Sequence, residues 1–146
     1  MNGTVKKKLI WILPLLWTAV IFSASLQSGE DSGALSGSIT GMIYDFLTKA
    51  GFSLTFETLH FLIRKAAHFT EYAILGILVK TAIQKAPLLK SDTLSLLSWM
   101  ILIPLCDEGI QHFVSGRFGA IEDSLLDMSG FAFGALLVYL ILRFRK

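Results

Sequence analysis

The sequence predicts an all-α polytopic membrane protein, with four transmembrane helices and an amphipathic extracytoplasmic helix between the first and second. Three observations lead there. Hydrophobic residues make up 53% of the 146 and charged residues only 16%, against about 25% charged in soluble domains, and mean hydropathy is +0.64. A soluble chain of this length buries only about 70% of its surface, which would leave many of these apolar side chains no interior to enter. Four apolar stretches follow one another, and lysine and arginine collect at alternate ends of them. The same composition excludes a disordered chain, a coiled coil and a disulfide scaffold, since Cys106 is the single cysteine. A net charge of +2 gives no argument for nucleic acid.

The first span is read at about 9–26, directly after Lys6, Lys7 and Lys8. A bilayer core of about 30 Å takes about 20 helical residues. A basic start, an apolar run and Ser23-Ala24-Ser25 also outline a signal peptide, but the length of the run favours a retained span. Further spans are read at about 62–83, 93–112 and 123–142, with turns at Pro87, Lys90 and Ser91 and at Ser115-Gly116-Arg117-Phe118-Gly119. No repeat or low-complexity segment interrupts them, so residues 1–146 are read as one membrane domain. Between the first two spans, an outer segment of about 27–61 carries Leu35, Ile39, Met42, Ile43, Phe46 and Leu47 at helical spacing. Ser36, Ser38, Thr40, Asp45 and Lys49 fall on other faces, and Gly51 ends the segment. This helix, over about 34–49, either lies flat in the membrane interface or caps the bundle.

Basic residues orient the spans. Lys6, Lys7, Lys8, Lys80, Lys85, Lys90, Arg143, Arg145 and Lys146 fall on one side, and only Lys49, Arg64, Lys65 and Arg117 on the other. By the positive-inside rule both termini are cytoplasmic. Acidic residues are one-sided in the opposite sense, with only Asp92 of the eleven on the inner side. Depth makes them informative. The uncharged run of the third span, Thr93 to Cys106, is fourteen residues, about 21 Å long. That of the fourth, Met128 to Leu142, is fifteen residues, about 22 Å. Both fall short at the outer end, so Asp107, Glu108, Asp123 and Asp127 are expected below the outer headgroups, with His68 and Glu71 one to two turns below Arg64 and Lys65.

Spacing groups these residues into stripes. Arg64, His68, Glu71 and Leu75 share one helical face, as do Asp107 and Gln111, and as do Asp123, Asp127, Gly130 and Gly134. A charge at the bilayer centre costs at least about 2.5 kcal/mol, so such groups face a bundle interior or wet cavity and pair there. The pattern predicts a polar pocket open to the outside. Each member also has a plainer structural role. Arg64 and Lys65 could anchor a helix at headgroup level, His68 could be a core histidine paired with Glu71, and Asp123 could be a helix N-cap. Gly130-xxx-Gly134 is a close-packing pattern between helices, and Trp11, Trp17 and Trp99 are read as packing residues.

The stretch Arg64-Lys65-Ala66-Ala67-His68-Phe69-Thr70-Glu71-Tyr72-Ala73-Ile74-Leu75-Gly76 resembles the second-span signature of the VanZ-like family. Asp107-Glu108-Gly109-Ile110-Gln111-His112-Phe113, then Gly116-Arg117, then Asp123, Asp127 and Gly130 resemble its third and fourth parts. Phe22-Ser23 through Gln27-Ser28, and Ser32 to Ser36, resemble the outer segment after its first span. The resemblance covers essentially the whole chain in order, although many members would carry Asn where Asp127 stands. It implies a bacterial cytoplasmic-membrane protein of the cell envelope. The family's namesake is associated with low-level resistance to the glycopeptide teicoplanin. By residue match, Lys65, His68, Tyr72, Asp107, Glu108, Gln111, Arg117, Asp123 and Asp127 are its pattern positions.

With Arg64 and Glu71 from the stripes, these eleven residues form the candidate pocket. Its expected partner, besides the bilayer, is an anionic lipid or a lipid-linked cell-wall precursor. Arg64, Lys65 and Arg117 would contact phosphate, and Asp107 and Gln111 would hold the arginines or a sugar hydroxyl. The alternative is a membrane enzyme acting on a lipid-linked phosphate, with His68 as general acid or base. No GxSxG, HExxH or CxxC motif occurs, so no catalytic residue is assigned. His68, Glu71, Asp107, Glu108 and His112 could in principle bind a divalent metal, but no two form a specific ligand motif, and neither a metal nor a cofactor is assigned. A small proton-coupled transporter would need a polar path through the inner halves, which offer only Lys80 and small residues such as Ser95 and Ser98. Oligomerisation is compatible with every reading.

Overall fold

A computed structural model describes residues 8–117 and 119–144. Phe118 and four of the basic residues used for orientation, Lys6, Lys7, Arg145 and Lys146, lie outside the described residues. A 3-10 turn, Leu9–Trp11, leads into α1, Ile12–Ser25. There follow α2, Gly29–Lys49, α3, Phe56–Lys85, α4, Asp92–His112, and α5, Ile121–Phe144. The protein is all-α: no strand occurs among the described residues.

Three helices, α3, α4 and α5, are each long and apolar enough to cross a membrane. The Leu9–Ser25 and Gly29–Lys49 helices meet the same test only as a pair, and they are bent by 103° to one another. Three helix starts differ from those expected. The second helix starts at Gly29 rather than near residue 34, because Ser28 caps it: its hydroxyl accepts the Asp31 backbone N–H at 3.1 Å, with Glu30 and Asp31 in the positive first turn. The third starts at Phe56 rather than 62, because Thr55 accepts the Thr58 N–H at 3.2 Å. The fifth, α5, starts at Ile121, so Asp123 stands inside its first turn and is not its N-cap.

The closest helix pairing is α3 with α5. Gly130 and Gly134 sit so near α3 that a Cβ on either would overlap the carbonyl oxygens of Phe69 and Ala73. Gly76 stands in the same relation to the Phe131 carbonyl from the other side. The glycine pattern therefore does what its spacing predicts, bringing backbones close enough for dispersion to replace the hydrophobic drive that lipid removes. Tyr72, Leu75, Val79, Ile83, Phe131 and Ala135 form the buried core around that seam. Trp11 joins it, stacks on Trp99 with ring centroids 5.7 Å apart, and donates its indole N–H to the Ala86 carbonyl at 2.7 Å. Trp17 donates to the Glu71 carbonyl at 2.8 Å. Trp17 thus pins α1 to α3, and Trp11 ties the preceding turn to the residue just past the end of α3.

Helix α2 is amphipathic in an inverted sense. Its polar side faces the protein: Thr40 is fully buried, and Ser36 Oγ lies 2.7 Å from His60 Nε2 on α3. Its apolar residues Leu35, Met42 and Phe46 are 62%, 77% and 71% exposed. The helix is therefore attached to the bundle through its polar face, while Leu35 and Ile39 border a cavity against α3 and Met42 and Phe46 stay largely exposed.

Candidate functional site

The first turns of α3 and α5, the last turns of α1 and α4, the start of α2 and the 113–120 loop meet at one end of the bundle. Two cavities open there. One of about 240 Å³ lies between α2 and α3, with Arg64, His68, Glu71 and Arg117 on its wall beside Ser25 and Ser32. The other, of about 610 Å³, lies between α3 and the 113–120 loop, and Lys65, Gln111 and Asp123 join Arg64, His68 and Arg117 around it. Arg64, His68 and Arg117 line both.

The loop is tied down so that Arg117 points into this space. Gly29 donates its N–H to the Ser115 carbonyl at 3.0 Å, and Gly116 has a left-handed φ of 73° that glycine adopts without strain. Arg117 Nη2 donates to the Ala24 carbonyl at 3.0 Å, while its Nε is buried without a partner. Burial, and then the neighbouring Arg64 guanidinium, lower the Arg117 pKa from its ordinary value. Lys65 forms an ion pair with Asp123 and lies 5.4 Å from the Phe61 ring centroid. Both partners of that pair are about one-third exposed or less, with side chains at 33% and 27%.

Four of the expected pocket residues lie beneath the cavities instead of lining them. Tyr72 and Asp127 are fully buried, and Asp107 and Glu108 nearly so. Asp107 accepts the Ser25 hydroxyl on Oδ1 and the Gln111 amide on Oδ2, the latter at 3.3 Å. It therefore takes these hydrogen bonds from neutral groups of the bundle, whereas it was expected to hold the arginines or a sugar hydroxyl. Glu108 Oε2 accepts the Ala120 N–H at 2.7 Å and so anchors the loop that enters α5. A pairing of His68 with Glu71 was one of the readings open for it, and the carboxylate oxygen within ion-pair reach among the described residues is Asp127 Oδ1, 3.4 Å from His68 Nδ1. One donor atom each from His68, Asp107 and Asp127 lies within 4.8 Å of the others. His112 is exposed, with its ring edge-on to Phe113 at 5.6 Å between centroids, and is not a member of this group.

Sequence reasoning missed Ser25, His60 and Ser36. Ser25 is buried and holds Asp107, and His60 lines the larger cavity. A signal for Ser25 existed, since it falls inside the Phe22 to Ser28 stretch that carries the family resemblance. None existed for His60, which sat in a segment read as lying outside the second span.

These features define the class: an all-helical membrane protein whose apolar bundle carries a charged, cavity-bearing end. The family model described as VanZ/LLP1 matches residues 10–143, and the chain belongs to that family. No curated protein and no solved structure matches it.

Proposed function

We propose that the protein acts in the bacterial cell envelope by binding an anionic lipid, or the phosphate-bearing headgroup of a lipid-linked cell-wall precursor, at the charged end of the bundle. The observation that carries this reading is that Arg64 and Arg117 from separate elements line both cavities, with Lys65 at the larger one. Guanidinium groups form strong, directional hydrogen bonds to phosphate oxygens. The long apolar flanks of α2 and α3 would leave the acyl or prenyl chain in the bilayer.

In the topology that goes with this, both termini are cytoplasmic, four spans cross the membrane, and the cavities open outward. The 103° bend between the first helix and α2 supports it. If the first helix crosses the bilayer, α2 lies nearly in its plane, and the exposed Leu35, Met42 and Phe46 enter the interface. A cysteine replacing Ser115 is then labelled from outside intact cells, and labelling only after permeabilisation overturns the orientation. Lowered susceptibility to teicoplanin would follow from altered access to its target at the outer leaflet.

The binding claim is tested with the protein in detergent and native mass spectrometry, comparing a polyprenyl phosphate, phosphatidylglycerol and phosphatidylethanolamine. The expected result is retention of the anionic lipids by wild type and a loss of at least about tenfold in affinity in Arg64→Gln/Arg117→Gln, as for two charge-assisted contacts. Equal retention of phosphatidylethanolamine, or no change in the double variant, overturns it. A second reading, an enzyme acting on the same lipid phosphate, draws on the His68 and Asp127 contact beneath the cavities, and consumption of the polyprenyl phosphate by the pure protein would decide for it.

A further inference from the structure

We propose that His68, Asp107 and Asp127 form a binding site for a divalent transition-metal cation, of the zinc or manganese kind. The three residues come from α3, α4 and α5, and their donor atoms already converge to within 4.8 Å of one another. Such a cation would draw them in to metal–ligand distances of about 2.0–2.2 Å.

The second observation is the state of Asp127. Its side chain is fully buried, and among the described residues both its oxygens lack a hydrogen-bond partner and its ion-pair contact is His68 Nδ1 at 3.4 Å, too long for a good hydrogen bond. His68 Nδ1 is itself buried and unpartnered. Buried polar groups in folded proteins are nearly always paired, and an unpaired buried carboxylate is among the most expensive of them. A cation between Asp127, His68 and Asp107 removes that defect at once, and its double charge matches two carboxylates.

Asp107 supports the assignment in a different way. Ser25 and Gln111 each donate to one of its oxygens, and Gln111 Nε2 also reaches Ser25 Oγ at 3.3 Å. Outer hydrogen bonds of this kind fix the orientation of a ligating carboxylate. The donor set selects the metal class. Magnesium and calcium favour oxygen-only shells, whereas one imidazole with two carboxylates suits zinc or manganese. Three protein ligands leave at least one position free, and His68 is the member of the trio that also lines both cavities. The site goes beyond headgroup binding, and it is measured with no lipid present. Each ligand lies on a separate helix, which is why no local spacing motif announces it.

The test uses the full chain purified in detergent without chelator. Elemental analysis measures bound metal, and the chelator-stripped protein is titrated with zinc or manganese alone while its thermal midpoint is followed. The expected result is one cation per chain and a midpoint that rises on titration. X-ray absorption should report one imidazole nitrogen among oxygen ligands. Asp127→Asn and His68→Gln should lose the cation, and Asp123→Asn, whose carboxylate is engaged by Lys65 outside the trio, should keep it. Stripped wild type that binds neither cation overturns the proposal, as does binding by Asp127→Asn as tight as wild type. If the two ligand variants do not fold, the wild-type titration and its absorption spectrum decide alone.

Discussion

Helices α3 and α5 meet along one continuous seam, yet its two halves are built on different chemistry. In the half away from the cavities, the inner half, Gly76 and Gly134 bring the backbones into contact with Ala73, Phe131 and Ala135. In the cavity-bearing half, the outer half, the same two helices present Lys65 to Asp123 and His68 to Asp127. The first arrangement can only hold helices together. The second leaves buried atoms without partners, and an account of the fold alone gives no reason to keep them. On the function proposed above, the half with unpartnered atoms is the one that meets the ligand.

The largest effect should come from breaking the inner half. A leucine at Gly134 must displace the α3 backbone, since even a Cβ there overlaps the Ala73 carbonyl. Gly134→Leu should cost about 3 kcal/mol or more, at the upper end of overpacking effects, and show as loss of folded, monodisperse protein in detergent. Near-wild-type yield and thermal midpoint would mean the seam is looser than described. Next comes the floor of the outer half. Asp107→Ala strands the Ser25 hydroxyl and Gln111 amide that now bond to it, at a cost of about 1–3 kcal/mol, read as a lower thermal midpoint. Asp107→Asn keeps the shape and should cost less.

The Lys65 and Asp123 pair should matter least to stability in the outer half, because both side chains are partly exposed. A double-mutant cycle with Lys65→Gln and Asp123→Asn should give a coupling of no more than about 1 kcal/mol, falling with added salt. A larger, salt-insensitive coupling would show that the pair is buried by lipid or partner. Smallest of all, Gly33→Ala meets open space on α2 and should stabilise that helix by about 0.5–1 kcal/mol, measured as a slight rise in the thermal midpoint.

The two halves also differed in how legible they were. Gly130-xxx-Gly134 is a local pattern with a local consequence, and its spacing was enough to foresee backbone contact. The stripes Arg64–His68–Glu71 and Asp123–Asp127 correctly put these residues at one end, because helical periodicity fixes which face a residue shares. Partner choice was not legible. His68 meets Asp127 and Asp107 meets Ser25, and those pairings join different helices and depend on rotations and depths that spacing does not carry. Helix α2 shows a further limit. Its apolar periodicity was plain, but spacing left open whether it lies flat in the interface or caps the bundle, and did not show that Thr40 and Ser36 face the bundle. In a membrane, apolar periodicity marks the lipid side as readily as the core.

Teicoplanin susceptibility in a sensitive host tests most directly whether the outer half is the functional one. Wild type, Arg64→Gln/Arg117→Gln, Asp107→Asn and Gly33→Ala are compared at matched membrane abundance. The account predicts that wild type and Gly33→Ala protect several-fold while the cavity and Asp107 variants do not. Equal protection by all four would contradict it, because the charged end would then be dispensable for the activity it is proposed to carry.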